Sequence, residues 1–593
     1  MKTLIEKIKI KIGGKEYKDY NFLHMVLKQE LLKPNMFSFT MQKKNSLDSV
    51  DDSNFPLSRQ LIGEKVTFEL STVRFDEQDK QVEGDSLTFN GIVFSLNVRR
   101  RGDLFSEQLV DVTAFSPDFL LMDLPHCFSY ENKKLEAIVK TTLAPHDIPS
   151  EINPRTKGVI PYTVQYNESN YQFLARLARR FGEWMYNDGQ HWIFGEIKKK
   201  DPVIKLEPRN DISNYRFQVD LMHHKHKHAQ HEYLNYENLT KSDSDISELT
   251  KEGFHELTDL AISKSATLFK KKTFQHLQCG NPENNDVDEL DVSLKAQLLG
   301  AKAQQVVLTG STIRVDLTLG SVVELIDHYY DDEKHHKISQ NQYIITSIEH
   351  SVEQDGNYMN NFTAVPSKTE YPPYYQSDIF PFASAQRAKV KKNDDEEHLG
   401  RVRVQFLWQE EQDDSLKTPW IRIAQPHGGN DKGFFFIPEI DEEVIVDFEN
   451  GNAEKPYVVG TLYHGKKHPG EKWYPGNNEV KAIRTRSGHT VEIHDKGEGE
   501  KEGGYICIYD NKSKNYVLTF STDEKLIELK SKGDIKLNAE NDIILDAKNN
   551  VEIKAGQKIT LTAKSSMELN GGGSLDAKAD GTTTIKGAMV NIN

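Results

Sequence analysis

The chain has 593 residues, of which 75 are lysine or arginine and 90 are aspartate or glutamate, so its formal net charge is −15. Hydrophobic residues make up 37% and charged residues 28%, a balance typical of globular domains that excludes an integral membrane protein and a disordered chain. At roughly 150 residues per domain, the length predicts about four domains.

The N-terminus alternates lysine with isoleucine over residues 7–12. It lacks the continuous apolar core of a signal peptide and is predicted to be the first β-strand. The three cysteines, Cys127, Cys279 and Cys507, lie far apart and form no CxxC pair, which argues against a disulfide framework and a cysteine zinc site. We therefore expect the chain to fold in a reducing cytoplasm.

A strong helix signal lies in the first third of the chain. Ser169 and Gln172 form a capping box, apolar residues at helical spacing follow, and Gly182 ends the pattern. Asp188-Gly189, placed between two aromatic segments, is typical of a hairpin turn. With alternating segments on either side, residues 1–365 are predicted to form a β-rich domain with helical insertions.

A second domain is predicted after a linker. Residues 366–385 are rich in proline and tyrosine, which indicates an ordered or semi-rigid connection. An OB-like β-barrel is expected over 386–470 because four short strands follow at turn-marked spacing. These are residues 400–408, 420–424, 443–448 and 457–460. Nucleic-acid binding is not expected, since the loop at 410–414 is acidic and would repel phosphate.

The composition changes sharply near the C-terminus. Residues 471–525 contain two alternating segments around Gly488 and are predicted to form a neck that begins a β-prism. The last 68 residues, 526–593, contain no aromatic residue, proline, histidine or cysteine, and their nine lysines balance nine acidic residues. The net charge of −15 therefore belongs entirely to residues 1–525.

This C-terminal segment repeats every eight residues. Position two of the octads is Ile527, Ile535, Ile543, Val551, Ile559, Met567 and Leu575. Position four is Leu529, Leu537, Leu545, Ile553, Leu561, Leu569, Ala577 and Ile585. Position six is small, and position eight tolerates turns, so each octad is predicted to be a short strand followed by a corner. Either the chain coils on itself or several copies wind round a common axis, and periodicity alone does not choose.

The densest group of potential metal ligands is His223, His224, His226, His228 and His231. The histidines are interleaved with lysine in a polar stretch that offers no fixed ligand geometry, so we expect a solvated loop. A pH-sensitive contact and a specific metal site are the alternatives. No motif places paired carboxylates as acid and base, and we predict no catalytic, cofactor-binding or metal residue.

The order of these parts resembles the VgrG family, the spike proteins of type VI secretion systems. The hub motif is carried by Gln165-Tyr166, Glu168-Ser169, Phe173-Leu174 and Gly182. The barrel motif is carried by residues 400–404, Pro419-Trp420, residues 433–438, Glu443-Val444, Phe448, Gly451, Gly460 and Leu462-Tyr463. Asp441-Glu442 stands where the family has Gly-Asp, and His427 replaces a tryptophan, which indicates a divergent branch.

The resemblance implies a mainly β homotrimer with a hub like that of contractile phage tails, an OB-like barrel, and a needle of intertwined triple-stranded β-helix over 526–593. Such a spike would assemble in the cytoplasm of the producing bacterium and be injected into target cells, touching the target membrane transiently. It would contact an Hcp-like tube, baseplate proteins, a PAAR-type tip protein and effectors, but no nucleic acid. The segment expected to dock the tip protein is Met589, Val590, Asn591, Ile592 and Asn593.

Two alternatives stay open. The chain would be the hub or spike of a phage tail or of an extracellular contractile particle, or a glycan-binding or glycan-cleaving tail protein whose active surface lies in the hub. About 20 residues separate Tyr463 from Ile483, fewer than a minimal domain needs, and the chain ends four residues after the eighth octad. We therefore expect no enzyme domain at either place.

Overall fold

The computed structural model describes residues 4–43, 59–75, 81–101, 107–208, 210–277, 288–331, 334–353, 356–374, 380–474, 478–496, 503–511 and 513–592. The chain divides into two compact units, Met1–His468 and Pro469–Asn593. No helix among the described residues is long and apolar enough to cross a membrane.

The first unit is built on a mixed sheet of 13 strands, and its other strands form smaller sheets. Strands β1 to β7 are Leu4–Ile12, Lys15–Glu16, Tyr20–Glu30, Met36–Lys43, Lys65–Phe75, Gln81–Arg101 and Glu107–Phe115. Strands β8 to β14 are His126–Lys134, Ser150–Asn153, Val159–Glu168, Trp184–Asn187, Trp192–Gly195, Lys200–Leu206 and Ile212–Val219. Strands β15 to β21 are His226–Glu232, Glu237–Ser242, Thr273–His276, Val306–Thr312, Ser321–Asp331, Lys334–Val352 and Tyr358–Pro366.

The main path of this sheet is β14-β18-β21-β20-β3-β4-β7-β6-β5-β1-β2, and β19 joins β13 to β20. Two apolar cores lie along it. Phe37 and Phe68 stack in the first core with ring centroids 4.5 Å apart, while Trp184 and Tyr343 are almost fully buried in the second. The first strand, predicted from the lysine and isoleucine alternation, is present as β1.

Besides the helical residues 59–61, the described residues contain six α-helices. In chain order, α1 to α6 are Leu135–Leu143, Asn170–Phe181, Ser247–Thr250, Glu256–Leu268, Glu289–Gln304 and Leu407–Gln412. The predicted capping box is confirmed at α2: the Gln172 backbone N–H donates to the Ser169 hydroxyl at 3.2 Å, and the Gln172 side chain accepts from the Ser169 N–H at 2.9 Å. Gly182 ends α2 with φ 65°, and a Cβ there would lie 2.7 Å from the Tyr371 ring.

The predicted hairpin is also confirmed, since β11 pairs antiparallel with β12 across a turn that contains Gly189, whose φ is 99°. The stretch after β21 packs on the hub: the Trp184 indole N–H donates to the Glu370 carbonyl at 2.8 Å, and Tyr371 is buried. A buried indole N–H without an acceptor would be costly. The hydrogen bond therefore holds Glu370, and with it the start of the connection, against the hub.

An inserted layer follows β14 and holds the histidine cluster. Strands β16, β15 and β17 form a three-stranded sheet, and α5 packs against β15 and β16. The solvated loop predicted here was wrong, because β15 begins at His226 and His228 is fully buried, with His224 7% exposed. The sequence carries no period-two signal for this strand, because His228, Ala229 and Gln230 are buried in succession and most of its residues are polar or charged.

The barrel strands β22 to β27 are Gln386–Lys392, Arg403–Phe406, Gly428–Gly429, Lys432–Gly433, Glu443–Phe448 and Pro456–Thr461. Strands β23, β22, β26 and β27 form one antiparallel sheet, in which two of the four predicted strands are present as β26 and β27. The predicted strand at 400–408 is shorter, because α6 begins at Leu407, and residues 420–424 contribute only isolated bridges at Ile421 and Ile423. The strand β22 was missed.

The second unit contains an antiparallel sheet of five strands, joined in chain order. Strands β28 to β32 are Val480–Arg484, Thr490–His494, Tyr505–Tyr509, Tyr516–Ser521 and Leu526–Ser531. The two alternating segments predicted around Gly488 are therefore confirmed as β28 and β29, and the first octad is itself β32. We call this sheet, from Val480 to Ser531, the neck sheet.

Candidate functional site

The neck sheet turns one apolar face outward. Residues directly opposite in an antiparallel ladder share a face, so the register places two rows of five side chains across it. The rows are Lys481, Ile493, Ile506, Phe520 and Ile527, and Ile483, Val491, Ile508, Leu518 and Leu529. Nine of these ten are apolar, and each of the nine except Leu518 is exposed in the single chain. Contiguous apolar surface of this kind marks an interaction site.

The opposite face of the neck sheet is already covered. Thr490, Glu492, Cys507 and Tyr509 are buried there, and the Glu492 carboxylate accepts from the hydroxyls of Tyr505 and Tyr509 at 2.9 Å each. Burial and the hydrogen bond to Glu492 raise the pKa of Tyr505 to about 12, because both disfavour the phenolate. The apolar rows are therefore the uncovered side of this sheet.

The apolar rows continue into the octads. Ile527 and Leu529 are positions two and four of the first octad and also the ends of the two rows. Fourteen large apolar side chains at these two positions are each between 50% and 75% exposed, from Ile527 to Ile585. The neck sheet and the octads therefore share one apolar surface, which is exposed in the single chain.

The tail backbone bends once in every octad, at positions seven and eight, which confirms the period of eight. The bends lie at residues 532–533, 540–541, 548–549, 556–557, 564–565, 572–573, 580–581 and 588–589. Within the described part of the tail, residues 532–592 form no strand pair with one another.

The predicted tip-docking segment lies at the exposed end of the octads. Met589 is 79%, Val590 49% and Ile592 88% exposed, and Asn591 is exposed as well. Asn593 lies outside the described residues. Two large apolar side chains that protrude from backbone without a strand partner suit docking to another protein, because both the side chains and the backbone groups have unmet contacts.

A buried ion network joins the hub to the barrel inside the first unit. The barrel residue Glu454 has a fully buried carboxylate that lies 2.6 Å from Arg180 and 3.7 Å from Arg176, both on α2. The Thr163 hydroxyl donates to the same carboxylate at 2.6 Å, and Arg180 also binds Glu289 of α5 at 2.6 Å. Buried charges are tolerated only when paired in this way, so the network fixes the barrel against α2.

Further polar contacts cross the same boundary. Arg403 of β23 binds the Glu131 carboxylate of β8 with both oxygens, and the Gln409 amide donates to the Ser129 hydroxyl at 2.8 Å. Nothing in the sequence marked these partners, since the residues of each pair are more than 270 positions apart. The sequence predicted the helix that contains Arg176 and Arg180 but gave no sign of their ionic partners.

The buried histidines of the inserted layer each meet a glutamine. The ring Nε2 atoms of His224, His226 and His228 lie 3.1, 3.3 and 2.8 Å from the side-chain oxygens of Gln305, Gln275 and Gln297. Each Nε2 is therefore the donor, and burial lowers the pKa of His228 to about 4. Among the described residues, no group of three histidine, cysteine or acidic side chains is arranged to hold a metal.

Comparison with known proteins identifies two modules. The phage tail baseplate hub (GPD) family model matches residues 30–356, more than half of the chain. A model described as the type VI secretion system/phage-baseplate injector OB domain matches residues 386–463.

Two relatives of the chain are VgrG proteins. The Vibrio cholerae actin cross-linking toxin VgrG1 is 25% identical over 60% of this chain, and the match spans 33% of that protein. The Pseudomonas aeruginosa type VI secretion system spike protein VgrG1b is 22% identical over 74% of the chain and 61% of its own length. The chain thus spans about a third of the first relative and under two thirds of the second.

The fold agrees with a solved structure. The model superposes on a chain of the Francisella PdpA–VgrG complex in its lidded form with a TM-score of 0.55, at 10% identity, covering 89% of this chain and 81% of that one. Such low identity supports the fold alone. The hub model, however, matches more than half of the chain, and the relatives agree with it: the chain belongs to the phage tail baseplate hub family and is similar to the VgrG spike proteins of type VI secretion systems.

Proposed function

We propose that the chain is one third of a homotrimeric, membrane-puncturing spike at the tip of a type VI contractile machine. The observation that carries this proposal is the apolar face of the neck sheet, which continues into the octads and stays exposed in one chain. Three copies would cover one another's rows around a common axis. The charged residues between the apolar positions would remain outside.

Assembly would release a large free energy. Burying each large apolar side chain contributes roughly 1.5–3 kcal/mol, and every chain offers fourteen in the octads besides those of the neck sheet. Backbone groups of residues 532–592, which have no strand partner within the described chain, would gain ladders with the other copies. Closed ladders and a continuous core resist bending, as a puncturing needle requires.

Within the first unit, the hub and the barrel would move as one body when the machine fires. Glu454 links the barrel to α2 and, through Arg180, to α5, all with buried partners. A buried charge cannot be pulled from its partner without a large cost, so the link resists separation of the barrel from the hub. We assign the hub to contacts with an Hcp-like tube and baseplate proteins.

The tip segment, residues 589–593, is proposed to bind a PAAR-type tip protein that travels with effectors into the target cell. Exposed Met589 and Ile592 would enter the partner's apolar surface. The action proposed for the described parts is mechanical rather than enzymatic, with secretion through the machine as the route out of the producing cell. The hub of a phage tail or of an extracellular contractile particle is the second candidate, favoured by the hub family match. The glycan-cleaving alternative predicts sugar release from cell-wall glycan, and a mechanical spike releases none.

The decisive experiment is a mass measurement of the purified full chain by light scattering. A trimer has three times the chain mass of 67.8 kDa. The variant Leu545→Asp places three charges near the axis and is expected to abolish the trimer. Its matched control is Ile544→Asp, on the outward position next to it, where the trimer should persist. A monomeric wild-type chain, or equal behaviour of the two variants, would contradict the proposal.

A further inference from the structure

A group of lysines and apolar side chains lies in the first unit, where α4 ends and β17 begins. Leu268 and Phe274 are each 64% exposed, and Phe269 is 37% exposed. Four exposed lysines surround them in sequence, and we call them the lysine patch. These are Lys264, Lys270, Lys271 and Lys272. Leu268 and Phe274 protrude among these lysines and leave most of their apolar surface in water. Such exposed apolar surface points to an external partner.

The lysine patch is positive although the chain is acidic overall. Lys272 pairs with Asp243 at 3.0 Å, while the other three lysines meet no carboxylate among the described residues. The acidic residues of α4, Glu256 and Asp259, lie at the start of the helix, about 14 Å or more from its end. A ligand of negative charge would therefore find unscreened attraction here.

The strand next to this patch has an open edge. Among the described residues, β17 pairs with β15 alone, through backbone N–H groups that include those of Thr273 and Leu277, at 2.9 Å each. Alternate N–H groups of a strand point to opposite sides, so those of Phe274 and His276 point away from β15. Neither has a backbone acceptor in the described part of the chain.

We propose that β17 and the lysine patch bind an extended acidic segment of another protein, which adds as a fourth strand beside β17. Its backbone would pair with the outward N–H groups of Phe274 and His276, its carboxylates would face the lysines, and its apolar residues would contact Leu268 and Phe274. An anionic membrane offers negative charge and an apolar interior but has no backbone to pair with a strand edge. The open edge therefore favours a peptide.

The probe is a fluorescent peptide that alternates glutamate with leucine, titrated with the full chain and followed by anisotropy. A peptide with lysine in place of glutamate is the charge control and should not bind. The Lys270→Glu and Lys271→Glu double variant should weaken binding of the acidic peptide about tenfold, because two attractions become repulsions. Both sites are exposed, so the assembled protein should keep its mass.

The strand addition is tested by removing one backbone N–H group, that of His276. His276→Pro removes the outward N–H and leaves the N–H groups that bond β15 in place, whereas His276→Ala keeps it. The proline variant should bind the peptide at least fivefold more weakly than the alanine variant, with unchanged circular dichroism. Equal affinity of the two variants would overturn the strand addition.

Vesicles of phosphatidylglycerol and phosphatidylcholine distinguish the membrane from the peptide. We expect no cosedimentation of the full chain with them at physiological salt. Cosedimentation that needs Lys270 and Lys271, together with absent peptide binding, would overturn the proposal in favour of a lipid surface. The outcome does not depend on trimer formation, since the patch and the edge belong to one chain.

Discussion

The two compact units differ in how much of their apolar side-chain surface is buried within the single chain. In the first unit even charged side chains are buried, as Arg180 and Glu454 are, and Trp184 and Tyr343 lie inside a core made by the chain itself. In the second unit isoleucines such as Ile508 and Ile527 are exposed. The difference leads us to expect that the first unit is stable as a single chain, whereas the stability of the second, in the proposed trimer, depends on chain concentration.

The strongest way to break this comparison is a charge in the neck sheet. Ile508→Asp should abolish the trimer, because a carboxylate would enter the apolar rows of all three copies, and burying unpaired charges is prohibitive. Light scattering should then give the mass of a single chain. Ile508→Val removes one methylene, should cost only about 1 kcal/mol, and should leave the trimer intact. A trimeric Ile508→Asp protein would mean that the face has another role.

The corresponding test in the first unit is Glu454→Gln. The substitution leaves Arg176 and Arg180 buried without their shared negative partner, and breaking a buried pair costs about 3–5 kcal/mol. Urea unfolding should show this loss at any protein concentration. The control is Glu449→Gln, whose partner Arg422 is exposed, and the loss there should stay under about 1 kcal/mol. If both variants lost the same free energy of unfolding, burial of the ion network would contribute nothing to stability.

Acid should weaken the first unit through its buried histidines. His228 has a pKa of about 4 when folded against an ordinary value of 6.5, so the unfolded chain binds more protons between these values. Stability is therefore full above pH 6.5, falls as the pH drops toward 4, and loses roughly 3 kcal/mol from this group. His228→Gln should flatten the decline in urea unfolding. A decline of the same slope in that variant would assign the pH dependence to other groups.

The smallest effect on assembly is expected at the tip. Deleting Val590 to Asn593 removes exposed side chains that the trimer does not use, so the mass should stay trimeric and the unfolding midpoint should not move. Binding to a PAAR-type tip protein, measured by calorimetry, should fall at least tenfold because the docking segment is gone. Unchanged affinity would refute the docking assignment and leave the comparison of the two units intact.

Local signals predicted a large part of the fold. The capping box at Ser169 and the αL glycine at Gly182 fixed the ends of α2, because both act within one turn. The octad period located the bends of the tail for the same reason. Two neck strands, Tyr505–Tyr509 and Tyr516–Ser521, were missed, although both are short runs rich in aromatic and β-branched residues, which is itself a strand signal.

Other features depend on contacts that no local pattern encodes. His228 is buried because α5 supplies Gln297 from 69 positions away, and a polar, lysine-rich stretch gives no sign of that. The network around Glu454 joins residues up to 291 positions apart, so its members are ordinary acidic and basic residues until the chain is folded. Only tertiary packing turned them into a link between hub and barrel.

The regular bends of the tail make its length adjustable. An insertion or deletion of eight residues at residues 548–549 or any other bend keeps every apolar side chain on its face and every corner at its place. A change by an odd number would instead exchange the inner and outer faces of all residues that follow. In the proposed needle, mutation can thus lengthen or shorten the chain in whole octads, and the reach of the spike would be inherited as a count of repeats.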